Sequence, residues 1–294
     1  MSKIFIEARP ALLTANVKYH LYLVYQDDEG SEFVIRGGTQ VKDSSISYQY
    51  GDIAAETGVP MEDSMDYRDP DYAQYRGQVE IDLQGRNADD VWSIMVQQAQ
   101  NINDAGLSYS SFLQNSNSVI TSVLKVVGID VINNLPANTE VSDYPAIYNS
   151  LSIDTNLSGT YKSDVIHGMG GNDIISGGIG NDSLFGGDGQ DIIYGGYGHD
   201  YIQGGDGADI LSGGVGFDVF DFNSLNDSVI GAQDYIADFT VGVDKIDISD
   251  TEIASIEDLS VINFNRNTFI IHEDSNFAIS LEGEISLTES DFIF

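Results

Sequence analysis

The chain has 294 residues and a formal net charge of −35, with 12 Lys and Arg against 47 Asp and Glu. A surface of that sign repels nucleic acid and anionic membranes and draws cations. With no cysteine, disulfide scaffolds and Cys-ligated metal sites are excluded. No apolar run approaches the ~18 residues of a membrane helix, so no integral membrane segment is expected. The opening MSKIFIEARPALLTANVKYH also lacks an apolar stretch of signal-peptide length.

The length favours two domains over one. Residues 1–135 hold nine of the 12 basic residues and are expected to form an α+β domain. KYHLYLVYQDDEGSEFVIRGG reads as a strand from Lys18 to Tyr25, a turn at Asp27 to Gly30, and a strand from Glu32 to Ile35 that ends in Gly37-Gly38. Asn87 suits the N-cap of a helix carrying Val91, Trp92, Met95, Val96 and Ala99. In YSSFLQNSNSVITSVLKVVGI, Val119, Ile120, Val123, Leu124 and Val127 share a helical face, and Gly128 suits its stop. Ser116 or Ser118 stands at that helix's N-terminus, where a developing anion is favoured.

A histidine on a hairpin, a helix, then a helix opening with Asn115-Ser116-Asn117 resembles the circularly permuted papain-like proteins. These include the PPPDE isopeptidase-like and lecithin retinol acyltransferase-like groups. The resemblance implies His20 as base and puts Ser116 where that family has its nucleophilic cysteine. Serine is a weak nucleophile unless a base and an oxyanion site are well placed. Three readings stay open. The pair performs acyl transfer or hydrolysis; the fold has become a binder; or His20 and Ser116 are a strand residue and a helix cap. No GxSxG elbow occurs. His20, His167, His199 and His272 are not spaced as HExxH, so zinc proteolysis is not expected.

NNLPANTEVSDYPAIYNS, within residues 133–150, is rich in Asn, Pro and Ser, and residues 136–158 read as a linker. A nine-residue repeat then fills residues 159–221, with seven registers opening at Gly159, Gly168, Gly177, Gly186, Gly195, Gly204 and Gly213. The sixth position is always aspartate: Asp164, Asp173, Asp182, Asp191, Asp200, Asp209 and Asp218. The eighth is always apolar: Ile166, Ile175, Leu184, Ile193, Ile202, Leu211 and Phe220. A flexible Gly/Asp linker would not fix that eighth position. The glycine half reads as a tight turn and the rest as a brief strand with one inward side chain. Such a unit buries nothing alone, whereas stacked units bury a continuous core. Calcium takes about six to eight oxygens. One unit offers too few, and two stacked units offer about enough.

The nonapeptide resembles the calcium-binding RTX repeat. The resemblance implies a right-handed parallel β-roll with two nonapeptides per coil and Ca2+ held between turns. The implied ligands are the seven aspartates with Gly177, Gly180, Gly186, Gly189, Gly195, Gly198, Gly204, Gly207, Gly213 and Gly216. Asp182 would act with Asp200, and Asp191 with Asp209. His167 and His199 fall at variable positions and read as filler.

Residues 222–294 are expected to cap the roll, with short alternating strands in DYIADF and DKIDIS. DVFDF, DYIADF, VGVDKIDIS and FAISLEGE resemble the C-terminal domain of serralysin-type secreted metalloproteases. In that family an acidic residue followed by three apolar ones belongs to the type I secretion signal, which Asp291, Phe292, Ile293 and Phe294 match. The combined expectation is a secreted, extracellular protein exported by Gram-negative type I secretion machinery. Calcium would fold its roll outside the cell. Its N-terminal cargo is either an acyl hydrolase or transferase, or a non-catalytic adhesin or matrix domain.

Overall fold

The computed structural model describes residues 1–11, 18–39, 53–60, 77–105, 116–136 and 151–294. The chain divides into two units, Met1–Ile153 and Asp154–Phe294.

Among the described residues the first unit has five strands: β1 (Lys3–Ala11), β2 (Lys18–Gln26), β3 (Glu32–Thr39), β4 (Ile53–Pro60) and β5 (Gly77–Glu80). They form one antiparallel sheet in the order β4-β3-β2-β1-β5. The β2–β3 turn closes because Asp27 Oδ1 accepts the Glu29 and Ser31 N–H groups, with Gly30 at φ +88°. Strand β3 runs on through Gly37 and Gly38, which pair with Ala55 and Ala54 of β4, while its pairing with β2 stops at Tyr22–Arg36. Alternation gives the sheet two buried faces. Ile4, Ile6, Ala8, Leu21 and Leu23 share one, and Tyr22, Val24 and Val34 with Phe5 share the other.

Helix α1 (Ala88–Asp104) starts as expected, with Asn87 accepting from the Asp89 and Asp90 N–H groups. Its Trp92 stacks on Tyr25 of β2 at 5.3 Å between centroids, which sets α1 on the Leu21 and Leu23 face. Helix α2 (Ser116–Lys125) differs from a one-faced amphipathic helix. Val119, Ile120, Val123 and Leu124 are buried, but so are Asn117, Ser118, Thr121 and Ser122. The polar side is paired internally where it can be. Ser122 Oγ donates to the Ser118 carbonyl at 2.9 Å and accepts the Leu151 N–H at 2.7 Å.

The second unit begins with β6 (Asn156–Ser158), inside the stretch read as linker. The repeat supplies β7 (Val165–Gly170), β8 (Ile174–Ile179), β9 (Ser183–Gly189), β10 (Ile192–Tyr197), β11 (Tyr201–Gly207), β12 (Ile210–Val215) and β13 (Val219–Asp221). The tail adds β14 (Asp234–Ile236), β15 (Lys245–Asp247), β16 (Leu259–Phe264), β17 (Asn267–His272), β18 (Ala278–Glu282) and β19 (Phe292–Ile293).

Alternate repeats go to opposite sheets. One has eight strands in the order β16-β17-β18-β14-β12-β10-β8-β6, the other six in the order β19-β15-β13-β11-β9-β7. Ile174, Ile192 and Ile210 are parallel partners, so one coil takes two nonapeptides and the structure is the expected parallel β-roll. All seven eighth-position residues are fully buried, each worth about 1.5–3 kcal/mol relative to exposure. Leu157, Ile236 and Ile246 extend the column at either end by pairing with Ile175, Leu211 and Phe220. One local expectation needs correcting. The first three positions of a repeat are not the turn, because β8, β10 and β12 run through Gly-Gly to residues 179, 197 and 215. The chain turns over positions four to six, where Gly198, for example, has φ +134°.

Candidate metal centre

The fold puts the seven repeat aspartates at the bends between the two sheets, with at most 4% of each exposed. Burying a carboxylate is costly unless its oxygens find partners. One oxygen of each does. Asp182 Oδ1 accepts the Asp164 N–H at 2.8 Å, Asp200 Oδ1 the Asp182 N–H at 2.9 Å, and Asp218 Oδ1 the Asp200 N–H at 2.9 Å. On the other bend, Asp173 Oδ1 accepts from Thr155, Asp191 Oδ1 from Asp173, and Asp209 Oδ1 from Asp191. Each bond spans 18 residues, one coil. Asp182 and Asp200, like Asp191 and Asp209, are thus joined by a backbone N–H to carboxylate bond.

The second oxygen is left without a partner. Oδ2 of Asp173, Asp182, Asp191, Asp200, Asp209 and Asp218 is buried and makes no hydrogen bond. Asp164 is the exception in the repeat. Its register carries threonine at position two, and Asp164 Oδ2 accepts from the Thr160 N–H and hydroxyl. In the regular registers the partnerless oxygen sits above the first glycine. A methyl group on Gly177 would collide with Asp182 Oδ2 and with the Gly195 carbonyl oxygen of the next coil. On Gly186 it would meet Asp191 Oδ2 and the Gly204 carbonyl. Two hard oxygens from successive coils thus converge beside Gly168, Gly177, Gly186 and Gly195, and oxygen donors of this kind fit calcium.

Burial pushes Asp182 and Asp191 up to about 7, and Asp209 and Asp218 to about 6, with neighbouring aspartates adding to the rise. Asp173 and Asp200 are raised by burial as well. These carboxylates carry less negative charge alone than they would beside a cation.

Three further aspartates, invisible to the glycine pattern, continue the site. Asp234 Oδ1 accepts the Asp209 N–H across 25 residues, and Asp244 Oδ1 accepts the Asp218 N–H across 26. Asp234 is fully buried, its Oδ2 has no partner, and burial pushes it up to about 9. Asp244 repeats the threonine device, its Oδ2 accepting from the Thr240 N–H. Asp238 covers the glycine pair of β12 by accepting from the Gly213 and Gly214 N–H groups and the Ser212 hydroxyl. The available signal was Asp-x-apolar without glycine, in Asp234-Tyr235-Ile236 and Asp244-Lys245-Ile246.

The histidines of the repeat do structural work. His199 Nδ1 accepts the Phe217 N–H at 2.9 Å, and His199 N–H goes to Asn181 Oδ1. His167 stacks on Phe185 at 4.3 Å. At the C-terminus Asp291 is buried, accepts from Gly242 and Thr288, and precedes β19, which pairs with β15. Burial raises its carboxyl, but the bonds from Thr288 and Gly242, with Lys245 nearby, outweigh this and hold it below the usual range.

A sequence model of the family described as Peptidase M10 serralysin C terminal matches residues 106–293. The chain belongs to the serralysin C-terminal family. Its roll is of the RTX type, a calcium-binding family of β-rolls. Similar solved structures include the AlgE6R3 subunit of the Azotobacter vinelandii mannuronan C5-epimerase. That subunit is 29% identical over 49% of this chain and 79% of its own, at a TM-score of 0.35. The AlgE6R2 subunit of the same enzyme is 27% identical over 49% of this chain and 92% of its own, at a TM-score of 0.29. No curated protein matches the chain. Among the described residues no helix is long and apolar enough to cross a membrane.

In the first unit, His20 lies on β2 opposite Arg9, and Ser116 opens α2. The side chains of both, and the whole of Asn115, fall outside the described residues. Their chain neighbours meet: the Leu21 N–H donates to Asn117 Oδ1 at 3.0 Å. Asn117 fills the place on β2 that β3 vacates beyond Tyr22.

Proposed function

We propose that this is an exported calcium-binding protein whose serralysin-type roll folds only when calcium joins coil to coil. The reading rests on one observation, the row of buried Oδ2 atoms with no partner in six registers and in Asp234. Calcium, when bound, supplies the positive charge these oxygens lack. Its ligands would be the partnerless aspartate oxygens together with backbone carbonyls of the neighbouring turns, Gly180, Gly189, Gly198, Gly207 and Gly216 among those contributing. Asp164 and Asp244, each already satisfied by a threonine, would close the row at its two ends. Folding free energy is then largely binding free energy. The roll stays open where calcium is scarce and closes in an extracellular, calcium-rich medium, which suits a chain threaded through type I secretion machinery. Titrating calcium into metal-free protein should produce strand circular dichroism with a stoichiometry of several ions. A spectrum already complete in chelator would sink the proposal.

The first unit is the cargo. The Leu21–Asn117 hydrogen bond favours reading it as an acyl hydrolase or transferase, because it holds the strand of His20 beside the helix opening at Ser116. Ester, amide and thioester hydrolysis by the full chain, abolished in both His20→Ala and Ser116→Ala, is the expected result. Hydrolysis that survives both changes removes the pair. A chain with no hydrolysis at all leaves the adhesin or matrix reading.

A further inference from the structure

We infer that the outer face of the six-stranded sheet carries one further calcium site, bridging Asp221 of β13 and Asp247 of β15 and separate from the row at the bends. Phe220 is buried in the core of the roll, so Asp221, the next residue of the strand, stands on the opposite face. It falls in the row His167, Phe185, Gln203, Asp221 and Asp247, in register across successive strands. The other members of the row are half-buried, whereas Asp221 is 5% exposed. Its Oδ2 is buried and has no hydrogen-bond partner. A carboxylate oxygen in that state is costly until a donor or a positive charge meets it. Among the described residues neither Asp221 nor Asp247 belongs to an ion pair.

The neighbours add acid rather than base. Asp247 is the direct strand partner of Asp221, so two like charges stand side by side. Its Oδ1 accepts the Ser249 N–H at 3.0 Å, which fixes that carboxylate on the row. The Tyr201 hydroxyl lies against the Asp221 carboxyl; burial first, and then that contact, raise the phenol and keep it neutral. Burial raises Asp221 as well; the Tyr201 contact offsets part of this, and Asp247, Asp250 and Asp227 add to the rise. The base next along β15, Lys245, is turned elsewhere. It donates to the Ser290 carbonyl and acts on Asp291. Neighbouring strands lie about 4.8 Å apart. An ion holding one oxygen from each at about 2.4 Å spans that gap, as calcium does, whereas magnesium at about 2.1 Å falls short. The glycine pattern does not reveal this pair, because Asp221 takes the ninth position, which is His167, Phe185 or Gln203 in the earlier strands of the sheet.

Equilibrium dialysis of the full chain in saturating calcium counts the ions, with circular dichroism confirming that each variant folds. Asp221→Asn and Asp247→Asn should each bind one ion fewer than the wild type and keep the full strand signal. The double variant should also lose one ion, because the two carboxylates share it. Should Asp221→Asn fail to fold, the half-exposed Asp247→Asn decides alone. Counts equal to the wild type in the folded variants, or two ions lost in the double variant, would overturn the proposal. The outcome is separable from that of the row at the bends. A roll already folded in chelator that still loses one ion with Asp221→Asn would sink the row and uphold this site. Several ions bound equally by every variant would do the reverse.

Discussion

The two units bury carboxylates by opposite means. In the first, Glu7 is 2% exposed and both its oxygens are occupied. Tyr22 Oη donates to Oε2 at 2.5 Å, and Gln78 Nε2 donates to Oε1 at 2.8 Å. In the second, aspartates stacked at one-coil intervals each receive one backbone N–H, and the other oxygen is left bare in all but the end registers. A buried polar atom without a partner costs about 1–3 kcal/mol, and more when it is charged. Glu7 is thus satisfied by the polypeptide itself, whereas on the proposed reading the roll's aspartates are satisfied by a cation.

Chelation should expose this contrast most strongly. Removing calcium should abolish the strand signal of residues 154–294, while fluorescence of Trp92, the single tryptophan, stays unchanged because it reports the first unit. A simultaneous loss of both signals would erase the distinction. Acid should act next, with opposite signs in the two metal states. Asp182 and Asp191 rise from 3.8 to about 7, so the metal-free folded roll holds more protons than the unfolded chain between those values. Its stability is greatest on the acid side and is lost as pH climbs through that window. Calcium affinity should move the other way, falling as pH drops below about 7 and protons claim the same oxygens. Calorimetric titration at several pH values, with dichroism in chelator, checks both directions.

A smaller effect is expected from Gly198→Ala. This glycine has φ +134°, and an added methyl would strike the Gly180 carbonyl of the previous coil. Backbone strain alone costs about 1–3 kcal/mol, to be read as a shift of the calcium midpoint with Trp92 unmoved. Glu7→Gln should produce the smallest change, about 1–3 kcal/mol from weakened charge-assisted bonds. It should lower the melting of the first unit equally with and without calcium.

The roll was legible because one nine-residue period sets both requirements, an inward apolar residue and an aspartate at each bend. Ile175, Leu184 and Ile193 are buried as the period demanded. Legibility ended where the period did. Asp234 and Asp244 do the work of repeat aspartates, but loops of different length bring them there, 25 and 26 residues on, so counting could not find them. Thr160 and Thr240 were equally opaque, since their role depends on which oxygen of Asp164 and Asp244 is already in use. In the first unit the Asn87 cap and the β2–β3 turn are local devices and were readable. The burial of Ser118, Thr121 and Ser122 was not, because what covers the polar side of α2 comes from distant chain, such as Leu151.

The hydrogen bonds between aspartates all run one way along the chain. The N–H of Asp182 depends on Asp200, a residue one coil later, and the last two, from Asp209 and Asp218, depend on Asp234 and Asp244. Beside them a second set runs the opposite way: the Asn181 N–H reaches back to Ser163 Oγ and the Tyr201 N–H to the Asp182 carbonyl, so a solenoid trimmed from its front strands these donors. Cut at the rear, it strands the donors of its final turns. Each inner coil is therefore held from both sides, and losing either neighbour exposes donors that only the missing coil could satisfy.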